Sequence, residues 1–144
     1  MRRILAIDYG ERRLGVALSD PTGTFASPLT TLVRRPGKRP PVQAILELCA
    51  QHAVAAIVVG LPLTLEGTDS DWTREVREFA ARLQDRAGLP VALVDERLSS
   101  VAAERAVRGI GLRRRAREER GRVDAGAAAL ILQAYLDQQQ RRSP

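Results

Sequence analysis

The order of short apolar runs along the chain restricts its fold more than any other feature. Five runs have the length and composition of β-strands: residues 3–9, 14–19, 25–33, 54–60 and 91–94. Only turn-sized segments separate the first three, which predicts an antiparallel meander with the Pro28-containing third strand at an edge. A helical pattern precedes each of the last two strands, and such crossovers place strands parallel to the first.

Apolar residues at helical spacing predict the helices that connect and follow these strands. The predicted helices cover residues 42–53, 70–87, 99–108 (starting at Ser99 or Ser100) and 123–138. In the second and last helices the predicted apolar stripes are Trp72, Val76, Phe79, Ala80 and Leu83, and Val123, Ala127, Leu130, Ile131 and Ala134. The sequence therefore predicts an α/β fold: a five-stranded mixed sheet flanked by helices in one domain over residues 1–138, with a polar tail at 139–144.

Composition excludes several classes of protein. Only one cysteine, Cys49, is present, so no internal disulfide can form, and its place in a helical stripe predicts a core residue. The single histidine, His52, has no obvious partner, which argues against Ser/His/Asp or Cys/His catalysis. No apolar run approaches the roughly 20 residues of a membrane span, and the N-terminal residues do not resemble a signal peptide. We expect a soluble, cytoplasmic protein without a membrane partner.

The basic charge is concentrated in loops. The net charge is +6, and the segments 34–39 and 97–122 are rich in arginine, with 109–122 predicted as a basic loop. Such clusters indicate a polyanion partner held by phosphate contacts, although an arginine-rich composition that only maintains solubility would look the same. Aromatic residues are only 3% of the chain, so we expect recognition by shape and phosphate more than by base stacking.

Three carboxylates stand in apolar surroundings where a solvated acid would not be expected. Asp8 ends the first strand, Glu96 follows the fifth, and Asp124 begins the last helix. The first two fall at the carboxyl ends of parallel strands, the edge at which open α/β sheets bind ligands. Clustered buried acids need a compensating charge, and Mg²⁺ or Mn²⁺ with carboxylate ligands would provide it. Two such ions can promote phosphodiester hydrolysis.

Each acid also has a structural interpretation. Asp8 could accept hydrogen bonds from the turn at Gly10, Glu96 could pair with an arginine, and Asp124 could favour the helix N-terminus. Asp95 is the alternative to Glu96, because strand alternation aims the two at opposite faces. The metal hypothesis depends on all three acids converging under one topology.

Four segments in order resemble the YqgF/RuvX family of the RNase H-like superfamily. They are "DYGERRLGVALSD", "VVGLPLTLEGT", "VDERLSSVAAE" and "GRVDAGAAALILQAYL", and together they span residues 3–136. The resemblance implies an RNase H-like sheet and a metal-dependent phosphodiester hydrolase, with Asp8, Glu96 and Asp124 as the catalytic and metal-binding acids. It also implies processing of the 5′ end of the small-subunit (16S) ribosomal RNA precursor, or, by similarity to RuvC-type enzymes, resolution of Holliday junctions.

The sequence departs from the family pattern in three places. Ser100 stands where the family usually has threonine, and the segment 63–67 reads Leu-Thr-Leu-Glu-Gly in place of Leu-Asn-Met-Asp-Gly. Position 127 is alanine, whereas RuvC-type enzymes carry a second acid on this helix. With three ligand carboxylates, a second metal would be held loosely or supplied with the substrate.

The leading hypothesis is therefore a two-metal endonuclease acting on structured RNA. The arginines expected to hold the substrate backbone are Arg12, Arg13, Arg97, Arg113, Arg114 and Arg115. A Holliday junction resolvase acting on branched DNA would need a homodimer, whereas the RNA nuclease could be a monomer. A non-catalytic ribosome assembly factor is the alternative from another class. An actin-like ATPase is set aside, because it needs two such domains.

Overall fold

The computed structural model describes residues 2–35, 37, 39–101 and 120–142. For residues 120–124 it describes the backbone alone. Its strands are β1 (Arg3–Tyr9), β2 (Arg13–Ser19), β3 (Ala26–Val33), β4 (Val54–Leu61) and β5 (Val91–Asp95). Its helices are α1 (Val42–Gln51), α2 (Asp71–Ala87), a short 3₁₀ helix (Glu96–Leu98) and α3 (Arg120–Arg142).

The five strands form one mixed sheet in the order β3-β2-β1-β4-β5. The first three strands pair antiparallel, and β4 and β5 run parallel to β1. The predicted fold class and the edge position of β3 are confirmed. Pro28 pairs with Ala17 where the register shifts between Val16 and Ala17, so the ladder is irregular at the residue that cannot donate.

One face of the sheet packs against α1 and α2. Apolar side chains of β1, β2 and β4 meet the buried stripe of α2 there, with Val76, Phe79 and Leu83 at its centre. Cys49 of α1 is buried in this core, as predicted, and burial raises the pKa of its thiol. Trp72 lies at the border of this core and is only half-buried.

The opposite face packs against α3. Ala6 and Ala17 of the sheet meet Ala127 and Ala128 of the helix, and these small side chains allow the helix to lie close to the strands. The predicted stripe of this helix was right in part. Ala127 and Ile131 are buried and Leu130 packs against this core, as predicted, but the buried residues also include Leu132 and Leu136, which the stripe omitted. Ala134 is half-buried and, with Leu130, lines a groove beside Leu98. The side chain of Val123 is not among those that the structure describes.

Helix boundaries follow their capping residues. At the start of α2, Ser70 and Thr73 form a capping box, and Gly88 ends the helix in a left-handed conformation. The α3 helix continues to Arg142, through most of the predicted polar tail, because glutamine and arginine are good helix formers. It also begins at Arg120, inside the predicted basic loop at 109–122. Residues 102–119 are not described by the structure, and they include the rest of that loop and most of the helix predicted to end at 108.

Among the described residues, no helix has the length and apolar character needed to cross a bilayer.

The turn between β2 and β3 is organised by one carboxylate. Asp20 Oδ1 accepts hydrogen bonds from the backbone N–H groups of Thr24 (2.8 Å) and Phe25 (2.9 Å), and the Thr22 hydroxyl donates to Oδ2. The hydrogen bond from Phe25 is the main cause that lowers the pKa of Asp20 to about 2. From α3, Gln133 bridges the end of this turn, accepting from the Ala26 N–H (2.9 Å) and donating to the Thr24 carbonyl (3.0 Å).

A pH-dependent contribution to stability follows from this turn. Because the pKa of Asp20 falls on folding, its contribution is present above the unfolded value of 3.8 and is lost as the pH falls toward 2. We expect Asp20→Asn to lower Tm at neutral pH, and the difference from wild type to shrink across that interval. Thermal unfolding followed at several pH values measures this, with the exposed Asp85→Asn of α2 as the control. A difference that stayed constant down to pH 2 would contradict the assignment.

Candidate active site

Asp8 lies on the α3 side of the sheet, near the carboxyl end of β1. Side chains alternate along a strand, and Ala6, two residues earlier, belongs to the core packed against α3. Leu5, Ile7 and Tyr9 belong to the core on the other side. Asp8 is only 4% exposed, so this carboxylate is built into the fold.

Glu96 reaches the same side of the sheet from β5. It is the first residue of the 3₁₀ helix that follows the strand, and it is 7% exposed. A Cβ placed on Gly60 of β4 would lie 2.9 Å from Glu96 Oε1 and 2.6 Å from Cδ1 of Ile131 in α3. The carboxylate of Glu96 therefore lies over β4, between that strand and α3.

Glycines flank Asp8 on both neighbouring strands. Gly15 of β2 is its partner in the antiparallel ladder. On β4, Gly60 is one residue beyond the Ile7–Val59 pair, at the level of Asp8. Side chains of laterally paired residues share a face of the sheet, so neither neighbouring strand places its own side chain beside the Asp8 carboxylate, and at Gly60 the side chains of Glu96 and Ile131 take that place. The sequence pattern contains both glycines, but no role for Gly15 follows from the pattern alone.

Asp95, the alternative to Glu96, is engaged elsewhere. It pairs with Leu61 in the parallel ladder, and its carboxylate accepts from Nη2 (2.7 Å), Nε (3.1 Å) and the backbone N–H (2.9 Å) of Arg97. These hydrogen bonds from Arg97 lower the pKa of Asp95. Of the two neighbouring acids, Glu96 is the one buried against α3, and Asp95 serves the ion pair.

Position 124 falls in the first turns of α3. It precedes Ile131 by seven residues, which is two turns, so the two positions lie on the same side of the helix. The side chain of Asp124 is not among those that the structure describes. Among the side chains that are described, no group of three or more His, Cys, Asp or Glu could hold a metal. The convergence of all three acids therefore stays a prediction.

The predicted substrate-binding arginines have different surroundings. Arg12 is exposed in the β1–β2 turn, and its carbonyl accepts from the Arg34 N–H (2.7 Å), which brings the start of the basic segment 34–39 beside this turn. Arg13 begins β2 and is half-buried. Arg97 is held by Asp95, and Arg113, Arg114 and Arg115 lie outside the described residues.

Tyr9 fixes the end of β1 from the opposite face, a role that the sequence did not indicate. Its ring stacks on Phe79 (4.3 Å between centroids) and Trp72 (5.3 Å). Its hydroxyl accepts from Arg34 Nη1 (2.7 Å) and donates to Glu75 Oε2 (3.3 Å). Burial is the main cause that raises the pKa of Tyr9. The only available signal was an aromatic residue directly after a buried acid at a strand end.

Comparison with known proteins identifies the protein family of this chain. The sequence profile of RuvX, described as Holliday junction resolvase, matches residues 2–138. The chain belongs to the RuvX family. A relative from Roseiflexus sp., named "Putative pre-16S rRNA nuclease", is 45% identical over 137 residues, covering 95% of each chain. A relative from Anaeromyxobacter dehalogenans with the same name is 46% identical over 142 residues, covering 99% of each.

A solved structure supports the fold assignment of this RuvX-family chain. Thermus thermophilus RuvC, solved with a Holliday junction substrate, superposes with a TM-score of 0.58 at 19% identity, covering 97% of this chain and 96% of RuvC. At that identity the likeness establishes the RNase H-like fold alone. The predicted family and fold are both confirmed.

Proposed function

We propose that this RuvX-family protein is a divalent-metal-dependent endonuclease that cleaves phosphodiester bonds in the precursor of 16S ribosomal RNA. The observation that carries the proposal is the pair of buried carboxylates, Asp8 and Glu96, on one face of the sheet at the carboxyl ends of parallel strands. The relatives named as pre-16S rRNA nucleases supply the substrate. Such an enzyme would act in the cytoplasm, where ribosomes assemble.

The residues present suit a hard divalent cation. Asp8 and Glu96 offer oxygen ligands, the type that Mg²⁺ and Mn²⁺ prefer. Because Gly60 carries no side chain, the Glu96 carboxylate can lie over β4, the strand next to the one that carries Asp8. With Asp124 from α3 as the third acid, these carboxylates would hold one ion or two. A bound ion would supply the positive charge that activates a water for in-line attack and stabilises the leaving oxygen.

The protein's own residues fix the positions of the carboxylates and supply positive charge for the substrate before it binds. Burial fixes the Asp8 carboxylate on β1 and the Glu96 carboxylate directly after β5, with β4 between them, so both are in place before the reaction. Arg12 is exposed at the β1–β2 turn, three residues beyond the end of β1, where its charge can meet substrate phosphates. Such contacts favour RNA recognised by its backbone shape.

A Holliday junction resolvase is the second candidate. The RuvX family description favours it, because it names that activity. A resolvase needs two sites related by a twofold axis to cut a four-way junction symmetrically, so it requires a homodimer. A non-catalytic assembly factor would bind RNA through the same surface without cutting it.

Cleavage assays separate these functions. With Mg²⁺ or Mn²⁺, we expect the protein to cut a pre-16S rRNA leader, and we expect EDTA to abolish the cut because the carboxylates then lack their ion. A four-way DNA junction and a linear duplex of the same sequence run in parallel. Cutting of the junction alone would favour the resolvase, and binding of the leader without cutting would favour the assembly factor.

A further inference from the structure

The segment between β4 and α2 forms an ordered loop at the edge of the candidate site. We call residues 62–69 the site loop. The Thr64 N–H donates to the Thr68 carbonyl (2.9 Å), the Gly67 N–H donates to the Thr64 carbonyl (2.9 Å), and the two threonine hydroxyls are 2.6 Å apart. The buried Thr73 of α2 donates from its hydroxyl to the carbonyl of Pro62, which fixes the start of the loop.

The site loop borders the site because of where β4 ends. Leu61, the last residue of β4, pairs with Asp95, so the loop starts beside the residue that precedes Glu96. At the tip of the loop, Leu65 is 92% exposed. A nucleic acid strand that approaches the Glu96 carboxylate from the carboxyl edge of the sheet would pass this loop.

Arg97 connects the site loop to β5. Its Nη1 donates to the Leu65 carbonyl (3.3 Å), while its Nε and Nη2 face the Asp95 carboxylate. Gly67 lies directly against the guanidinium: a Cβ there would be 3.1 Å from Nη1 and 3.2 Å from Nη2. Gly67 also has φ of +83°, a conformation that side chains disfavour, so the shape of the loop is fitted to Arg97.

We propose that Arg97 is a positioning residue: held by Asp95, it fixes the site loop as one wall of the cleft through which RNA reaches Glu96. The proposal rests on the proposed nucleic-acid substrate and differs from the expectation that Arg97 binds a substrate phosphate. A planar guanidinium can bind a carboxylate with two nitrogens and a carbonyl with the third, which a lysine ammonium cannot reproduce. Through Arg97, the order of the site loop depends on β5, the strand that directly precedes the candidate catalytic residue Glu96.

The first test measures the loop itself and needs no activity. In Arg97→Gln and in Asp95→Asn, we expect faster amide hydrogen exchange at Gly67 and Thr68, and faster thermolysin cleavage at Leu65, because the anchor is lost. Exchange in α1, on the other face of the sheet, should stay unchanged. Unchanged exchange in the site loop of both variants would overturn the proposal.

The second test separates positioning from direct phosphate contact. With the pre-16S leader, we expect Arg97→Lys to weaken binding as much as Arg97→Gln, by about fivefold, because lysine keeps the charge but not the two-sided geometry. The slope of log Kd against log salt should stay at its wild-type value, whereas loss of a phosphate contact would reduce it by about 1. A wild-type-like Arg97→Lys with a reduced slope in Arg97→Gln would overturn the proposal.

Two further variants strengthen the design. Gly67→Ala leaves every charge in place but disturbs the contact with the guanidinium, so it should weaken binding like Arg97→Gln. The double variant Asp95→Asn, Arg97→Gln should bind the leader no more weakly than either single variant, because both substitutions break the same connection between β5 and the site loop.

In a cleaving enzyme these effects raise KM more than they lower kcat. If the wild type binds the leader without cutting it, the nuclease proposal fails, while the exchange and binding results still decide the role of Arg97.

Discussion

Replacing Asp8 with asparagine is expected to lower the rate of leader cleavage by about 10²–10³-fold or more, with the fold retained. Asparagine has nearly the shape and volume of aspartate, so the substitution should not disturb packing. What it removes is the negative charge that a divalent ion requires. Single-turnover cleavage with Mg²⁺ and with Mn²⁺ measures the loss.

A second measurement distinguishes a lost metal ligand from a general defect. A ligand that binds only the folded state raises Tm with its concentration. We expect Mn²⁺ to raise the Tm of the wild type and of the exposed-site control Asp85→Asn, and to have a much smaller effect on Asp8→Asn. Full cleavage by Asp8→Asn would refute the role of Asp8. Loss of cleavage with an unchanged Mn²⁺ effect on Tm would separate Asp8 from metal binding.

The fold was predictable because it depends on patterns that recur along the chain. The apolar runs and the helices between them determine which strands are parallel. Because β1 and β5 are parallel, their carboxyl ends, with Asp8 and Glu96, lie at one edge of the sheet. The neighbouring acids Asp95 and Glu96 could be distinguished by strand alternation for the same reason. The burial of Glu96 against α3 and the ion pair of Asp95 agree with that distinction.

Other features depend on contacts between distant segments, which local patterns do not contain. The stacking of Tyr9 on Phe79 joins β1 to α2, and the hydrogen bond from Arg97 to Leu65 joins the segment after β5 to the loop after β4. In both cases the residue types alone permitted simpler interpretations, such as a surface tyrosine or a phosphate-binding arginine. The stripe of α3 was incomplete for a related reason: several sides of this helix carry small or apolar residues, so the pattern alone did not show that Leu132 and Leu136 also belong to the core between the helix and the sheet.

Gly60→Ala is expected to damage both stability and cleavage, because one methyl group would meet two essential neighbours. The new Cβ would lie 2.6 Å from Cδ1 of the fully buried Ile131 and 2.9 Å from Glu96 Oε1, both closer than real contacts allow. Overpacking of this kind destabilises a core by about 1–3 kcal/mol. Displacement of a reacting group by about 1 Å can reduce a rate about 10²-fold, which is the loss we expect in cleavage. Urea unfolding and single-turnover cleavage measure the two effects.

The two contacts of that methyl group can be separated by a second substitution. Valine lacks Cδ1, so Gly60→Ala, Ile131→Val should recover part of the lost stability while cleavage stays low, since the approach to Glu96 remains. Gly126→Ala in α3 is the matched control, because a Cβ there meets nothing within 4 Å and alanine favours a helix. If the double variant recovered cleavage together with stability, the defect would lie in the packing of α3. If it recovered stability alone, the position of the Glu96 carboxylate over Gly60 would be what cleavage requires.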